Sequence, residues 1–183
     1  MLFRFDGEIV RQEEDSDFDG QVDRKSAVGS GGQTVQEADS SGDGRIDTWI
    51  VADASGAVVE RREDRNGDGA PDFTAFFKDA RLERLEQDAK GSGCVDLKQW
   101  FDAAGKVRAE YADTTGDCKT DTWSYYENER LVRQGRDPAG RGRPETLDHF
   151  DASGQLVVRE SASNGKNPDK KLFVGPEIGR AHV

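Results

Sequence analysis

The sequence predicts an all-β fold: an elongated antiparallel meander of about seven β-hairpin repeats of 24–25 residues, a solenoid-like single sheet. Acidic, glycine-containing loops begin at Asp15, Asp39, Asp64, Asp88, Asp113, Asp137 and, more weakly, Ser161, at spacings of 24, 25, 24, 25, 24 and 24. Such a fixed period is the mark of a repeat architecture. Between the loops lies a second punctuation, Asp53-Ala54-Ser55-Gly56, Asp102-Ala103-Ala104-Gly105 and Asp151-Ala152-Ser153-Gly154, with Lys78-Asp79-Ala80 and Glu127-Asn128-Glu129 in the equivalent places. Helices are excluded because no apolar i, i+3, i+4, i+7 series persists between the glycine-rich loops.

Each repeat therefore reads as strand, tight turn, strand, acidic loop. The turns open on Asp or Asn, whose side chains bond the backbone just ahead, and close on Gly at positive φ. Gly29-Ser30-Gly31-Gly32 holds the turn position of its repeat and reads as a lengthened turn, since no helix follows to make it a phosphate loop. The strand before the turn carries aromatics at Phe76-Phe77, Trp100-Phe101, Tyr125-Tyr126 and His149-Phe150. The strand after it carries an aliphatic at Val58, Leu82, Val107, Leu131 or Leu156. Short segments rich in Val and aromatics suit strands. About 14 of them, at roughly 4.8 Å each, make a sheet near 65 Å long, with each unit contacting mainly its neighbours.

Composition agrees with a thin core. Of 183 residues 33% are hydrophobic and 34% charged, and a mean hydropathy of −0.86 leaves too little apolar material for an ordinary globular interior. Three Trp, three Tyr and nine Phe are more than a solvated acidic tail carries. The net charge of −11 excludes nucleic acid as a partner, which needs clustered Lys and Arg. No run approaches the roughly 18 apolar residues of a membrane span, so no membrane insertion is expected within this segment.

Chemistry concentrates in the first three loops. Asp64-x-Asn66-x-Asp68-Gly69-x-x-Asp72 places oxygen ligands at alternate positions around a glycine, the pattern hard Ca²⁺ requires for its six to eight oxygens. Asp15, Asp17, Asp19 and Asp23 satisfy the same template around Gly20, as do Asp39, Ser41, Asp43 and Asp47 around Gly44. A turn alone needs one Asp and a Gly, not three or four acids. The twelfth position is Ser26, Ile50 or Ala75 rather than the Glu of an EF-hand, so the ninth-position Asp must close the shell, with a carbonyl from Gln21, Arg45 or Ala70 and water. Fewer bidentate ligands imply affinities on the order of 10⁻⁵ to 10⁻³ M, the range of extracellular modules.

Later loops decay. The fourth puts Lys90 in a ligand slot, the fifth (Asp113, Thr115, Asp117, Asp121) has Cys118 where Gly belongs, the sixth has Arg141 in slot five, and the seventh keeps one acid, Asp169. Cys94 and Cys118 fall one period apart at the same edge. A bridge needs Cα atoms within about 7 Å; loops two strands apart sit about 10 Å from one another, but Cys94 leans toward the next loop. A disulfide is feasible there, with two free thiols the alternative, and would place the protein in an oxidising compartment.

Trp100-Phe101-Asp102-Ala103-Ala104-Gly105-Lys106-Val107 and His149-Phe150-Asp151-Ala152-Ser153-Gly154-Gln155-Leu156 resemble the aromatic-Asp-x-x-Gly-x-Leu core of YD (RHS-type) repeats and of bacterial MORN-like repeats, and Asp137-Pro138-Ala139-Gly140-Arg141 is similar to the inter-repeat turn of YD proteins. The resemblance implies chains of antiparallel hairpins in surface or interaction roles without catalysis. The acidic loops depart from both families and resemble those of thrombospondin type 3 repeats and dockerins, which implies calcium. Ile178-Gly179-Arg180-Ala181-His182-Val183 resembles the translation of a sequencing-library adapter, so residues 1–177 are expected to be one repeat array, a fragment of a longer protein, and 178–183 a non-native tail.

Catalytic groups are scarce. Outside that tail His149 is the sole histidine, in a column otherwise aromatic, and no Gly-x-Ser-x-Gly, Walker loop or His-Glu-x-x-His is present. Charge is segregated: residues 130–171 hold nine Lys and Arg against six Asp and Glu, residues 1–129 sixteen against thirty. The expectation is a non-enzymatic extracellular, cell-surface or periplasmic protein, its export signal lying outside this sequence, whose loops bind calcium ions and rigidify the array in a structural or adhesion role. A cell-surface protein or polysaccharide is the expected macromolecular partner. The alternative is a carbohydrate- or protein-binding module whose exposed aromatic columns, including Trp49, Trp100 and Trp123, form the contact face.

Overall fold

The computed structural model describes residues 1–5, 8–29, 31–161 and 170–173, and the regular structure among them is entirely β. The chain divides into two compact units, Met1–Gly93 and Cys94–Val183. The first holds β1 (Leu2–Phe5), β2 (Glu8–Glu14), β3 (Arg24–Val28), β4 (Thr34–Ala38), β5 (Thr48–Ala52), β6 (Val58–Glu63), β7 (Phe73–Lys78) and β8 (Arg81–Gln87). The second holds β9 (Leu97–Phe101), β10 (Val107–Ala112), β11 (Thr122–Glu127), β12 (Arg130–Arg136), β13 (Thr146–Phe150), β14 (Leu156–Ser161) and β15 (Lys170–Phe173). Within each unit every strand pairs antiparallel with the next in the chain. The predicted meander of hairpins is thus present in both.

Two kinds of turn alternate with the acidic loops. At Asp53 the Gly56 N–H donates to the Asp53 carbonyl (2.9 Å) and the Asp53 N–H to the Ala57 carbonyl (2.9 Å), with Gly56 at φ +86°, a type I turn closed by a left-handed glycine. Asp102 and Asp151 repeat it. So does Gly29, whose N–H donates to Gln33 while Gly32 donates to Gly29, so the glycine-rich segment is a turn of ordinary length rather than a lengthened one. The other kind has no glycine. Asp79 and Ala80 stand at φ +51° and +58°, and Asn128 and Glu129 at +50° and +64°, both central residues left-handed as in a two-residue type I′ turn. Its right-handed twist matches the strands it joins, which is why side chains that dislike this region are held there.

A register shift lies beside these turns at Val51/Ala52, Phe76/Phe77, Val107/Ala109, Tyr125/Tyr126 and His149/Phe150. Four of these fall at the consecutive aromatic pairs read from the sequence, Phe101 and Trp100 standing opposite Val107 and Ala109. A bulge adds local twist, so the paired aromatics mark where each hairpin bends.

The interior is thin and largely polar. Among the described residues the buried hydrophobic side chains are Ala75, Ala109 and Trp123, at 5%, 7% and 9% exposure. Asp148, Asp137, Asp113 and Asp121 are more deeply buried than Trp123, at 2–6%. Trp123 lies beneath Gly135, where an added Cβ would stand 3.1 Å from the Pro144 ring and 3.5 Å from the indole. Trp123 is buried, while Trp49 and Trp100 are half-buried. Trp100 and Tyr111 pack with centroids 4.5 Å apart, Tyr111 meets Tyr125 edge-on at 6.1 Å, and Arg133 caps Tyr125 at 4.4 Å. Burial together with the Tyr111 hydroxyl pushes the Tyr125 pKa up to about 12.

Candidate metal centre

The acidic loops stack through their own backbone. The first Asp of each loop donates its N–H to the carbonyl of the last Asp of the loop before it: Asp39 to Asp23, Asp64 to Asp47 and Asp88 to Asp72 in the first unit, Asp113 to Asp96 and Asp137 to Asp121 in the second, each 2.8 Å. The sequence period is this hydrogen bond repeated. It makes the first and ninth positions rungs of the sheet, and so fixes where their side chains start.

From there the first-position carboxylate turns inward and staples the loop. In the third loop Asp64 accepts the N–H of Gly67 and of Gly69, both at 2.7 Å. Asp39 does the same with Gly42 and Gly44, at 2.7 Å each. Asp15 takes Phe18 at 2.7 Å and Gly20 at 3.1 Å. Both donors sit at positive φ, which explains the glycines; Phe18, at +65°, is the one non-glycine in its slot among the first six loops. The ninth-position acid closes the loop from the other side. Asp72 accepts the N–H groups of Arg65 and Asn66 at 2.9 Å, Asp47 those of Ser40 (3.0 Å) and Ser41 (2.8 Å), and Asp23 both the N–H (2.6 Å) and the hydroxyl of Ser16. The third and fifth positions cap the residues two ahead: Asp17 takes Asp19, Asp19 takes Gln21, Asn66 takes Asp68, Asp68 takes Ala70, and Asp43 takes Arg45.

These bonds favour the ionised form of Asp39, Asp47 and Asp23. For Asp39, desolvation opposes the charge, but the N–H groups of Gly44 and Gly42 and the Ser41 hydroxyl outweigh it, so its pKa is lowered. Asp47 is likewise lowered, desolvation being overcome by Ser40, Thr48 and Ser41. For Asp23 the Ser16 hydroxyl leads, followed by its N–H. A carboxylate has about four lone-pair sites: Asp39 accepts four such bonds and Asp47 three, whereas Asp15 accepts those of Phe18 and Gly20 and keeps lone pairs for a cation.

The candidate ligands are not gathered equally. Asp15, Asp17 and Asp19 each offer an oxygen, all within 4.8 Å of one another, and are the one such acidic group among the described residues. Asp23 stands outside that group. In the second and third loops the third slot holds Ser41 and Asn66, and Asp39, Asp43 and Asp47, or Asp64, Asp68 and Asp72, do not converge as closely; Asn66 Nδ2 instead bonds Asp68 at 3.1 Å and Ser41 Oγ bonds Asp39 at 3.2 Å. The donor set is hard oxygen throughout the three loops, and it fits Ca²⁺ or a similar hard cation rather than a soft metal.

Later loops carry other cross-links. In the fifth, Asp113 keeps the staple to Gly116 (2.6 Å) and Cys118 (2.7 Å), and Cys118 takes φ +66° in the glycine slot. Cys94 and Cys118 form a disulfide with Cα atoms 5.4 Å apart, closer than loop spacing alone suggests because Cys94 lies just ahead of Asp96, the residue that takes Asp113 into the ladder. In the sixth, Arg141 pairs with Glu145 at 2.5 Å, a guanidinium in the fifth ligand slot. Asp169 and the tail at 178–183 lie outside the described residues. Sequence reading passed over the Asp148–Arg159 ion pair, bidentate at 2.6 and 2.7 Å, since nothing but cross-strand register brings the two together.

No family model and no curated protein matches the chain. Among solved structures, one of TarM is similar over 75% of this chain and 20% of its own, with 14% identity and a TM-score of 0.33. A variant of S. aureus TarM in complex with fondaparinux, an α-GlcNAc-glycerol and UDP is similar over 82% of this chain and 21% of its own, with 14% identity and a TM-score of 0.25. The chain spans about a fifth of the length of these structures, and likeness at this level carries no argument about its function.

Proposed function

We propose that the chain is a non-enzymatic repeat segment whose first three acidic loops bind Ca²⁺ and so stiffen the hairpin array, in a structural or adhesion role outside the cell. The observation that carries the reading is the group Asp15, Asp17 and Asp19, three carboxylates with oxygens within 4.8 Å. Like charges at such distances repel unless a cation sits among them, and a turn needs no third acid. The ladder of loop bonds supports the mechanical role, because a cation tying the tip of each loop ties the edge of the sheet. The disulfide supports an oxidising compartment, where free calcium reaches the millimolar range that weak loops of this kind require.

Calorimetric titration with Ca²⁺ tests the proposal. Saturable heat with dissociation constants on the order of 10⁻⁵ to 10⁻³ M is expected, with Asp64→Ala/Asp68→Ala removing one site's share. Absence of heat together with a melting curve indifferent to chelator would sink it.

A further inference from the structure

Three rings of the second unit meet on one face of its sheet. Ala109 on β10 stands opposite Trp100 on β9 and Tyr125 on β11, and Tyr111, two residues further along β10, shares their face. Ala109 is small and buried, which lets the flanking rings come together. Trp100 and Tyr111 have centroids 4.5 Å apart, and Tyr111 meets Tyr125 at 6.1 Å with an interplanar angle of 71°. The two phenolic oxygens are 3.4 Å apart. They are closer than the ring centres, so the hydroxyl-bearing edges converge, and the carbons ortho to each hydroxyl lie on those edges. Tyr126, next along β11, belongs to the opposite face, where Ser124 and Glu110 act on its hydroxyl.

We propose that Tyr111 and Tyr125 are an oxidative cross-linking site, joined as a dityrosine when the chain meets a one-electron oxidant of the peroxidase and hydrogen peroxide class. One electron leaves each phenol and its hydroxyl proton passes to water, which leaves two neutral tyrosyl radicals. Their unpaired electrons pair in a new carbon–carbon bond between ortho positions. The hydrogen on each joined carbon then moves through water to the oxygen beside it, and both rings become aromatic again. Two phenols and one hydrogen peroxide thus give one biphenol and two waters. Trp100 offers a second point of entry, because an indole radical that takes an electron and a proton from Tyr111 hands the radical to the pair.

Position is what selects this pair. Two reactants held edge to edge by the sheet react as one molecule, with a large advantage over partners that must first collide. A radical on Tyr126 has to wait for a second chain. The bond would span 14 residues and tie the hairpin of β9 and β10 to that of β11 and β12. It would be a second covalent tie in the unit that already holds the Cys94–Cys118 disulfide, formed under the same oxidising conditions and, unlike the disulfide, not undone by thiols.

The cross-link does not depend on calcium, so its test is run in chelator. The full chain, dilute enough to limit encounters between molecules, is illuminated with tris(bipyridine)ruthenium and persulfate as the one-electron oxidant. A monomer lighter by two hydrogens is expected, with dityrosine fluorescence and a peptide map that joins Tyr111 to Tyr125. Tyr111→Phe or Tyr125→Phe should lower the yield of cross-linked monomer about tenfold or more, while Tyr126→Phe leaves it unchanged. Dityrosine confined to dimers, a link through Tyr126, or an unlinked monomer under conditions that couple a free tyrosine peptide would each overturn the proposal. Phenylalanine keeps the ring and its packing, and the peptide map of the parent chain decides the matter alone if either variant folds poorly.

Discussion

Breaking the Cys94–Cys118 bond gives the sharpest stability prediction, because two effects of different origin can be separated at one residue. The bridge closes a separation of 24 residues, and in the chain-entropy picture removing it frees the unfolded state by about 3 kcal/mol. Cys118 also occupies a left-handed slot, φ +66°, where Gly20, Gly44, Gly69 and Gly93 stand at +80° to +91° in the earlier loops. A non-glycine there costs about 1–2 kcal/mol. The variant Cys94→Ser/Cys118→Ser should therefore lose about 3 kcal/mol, and Cys94→Ser/Cys118→Gly should lose about 1 kcal/mol less, glycine relieving the strain that serine keeps. Urea unfolding followed by far-UV circular dichroism and tryptophan fluorescence reads both. A serine variant within 0.5 kcal/mol of the parent, roughly the level of an ordinary surface change, would refute the entropic argument. A glycine variant no better than the serine one would refute the assignment of the slot.

Three further outcomes follow from local geometry. Ala80→Gly turns Asp79-Ala80, both left-handed, into the preferred Asp-Gly of a type I′ turn and should stabilise by about 0.5–1 kcal/mol in thermal unfolding. Gly135→Ala places a Cβ 3.1 Å from Pro144 and 3.5 Å from Trp123 and should cost about 1–3 kcal/mol, with a shift in Trp fluorescence; an unchanged melting temperature would show that the Trp123 packing tolerates more than the geometry allows. Acid should destabilise the turns. The pKa of Asp53 is lowered by the Ser55 hydroxyl and the N–H groups of Ala57 and Ser55, that of Asp102 by the Lys106 N–H, and that of Asp151 by the Ser153 hydroxyl and the Gln155 N–H. Depressed folded values mean stability fully present above the unfolded Asp value of about 3.9 and lost as pH falls through the folded ones. Urea midpoints should hold from pH 7 to 5 and decline below 4; a midpoint unchanged at pH 2 contradicts the capping role.

The repeat was legible because its period is a physical rung. Asp39, Asp64, Asp88, Asp113 and Asp137 recur at 24 or 25 residues since each must donate to the last acid of the loop before, and the glycines recur since the staple from those acids demands left-handed donors. Asp79-Ala80 and Asn128-Glu129 were readable as turns by position, but their two left-handed residues were not, because neither Ala80 nor Glu129 favours that region. What could not be read was lateral. Asp148 meeting Arg159 and Trp123 beneath Gly135 both depend on cross-strand register, which bulges at Tyr125/Tyr126 and His149/Phe150 shift by a residue. The calcium template was legible as residue types at alternate positions. The convergence of Asp15, Asp17 and Asp19 and the looser second and third loops follow from Ser41 and Asn66 turning to neighbouring Asp side chains.

The most direct test of the calcium account is anomalous diffraction from crystals of the chain soaked in terbium, which substitutes for calcium in oxygen cages and scatters strongly. The account predicts peaks inside the loops of Asp15–Asp23, Asp39–Asp47 and Asp64–Asp72, strongest in the first, and none in the loop where Arg141 and Glu145 pair. Density confined to lattice contacts, with all three loops empty, would contradict it.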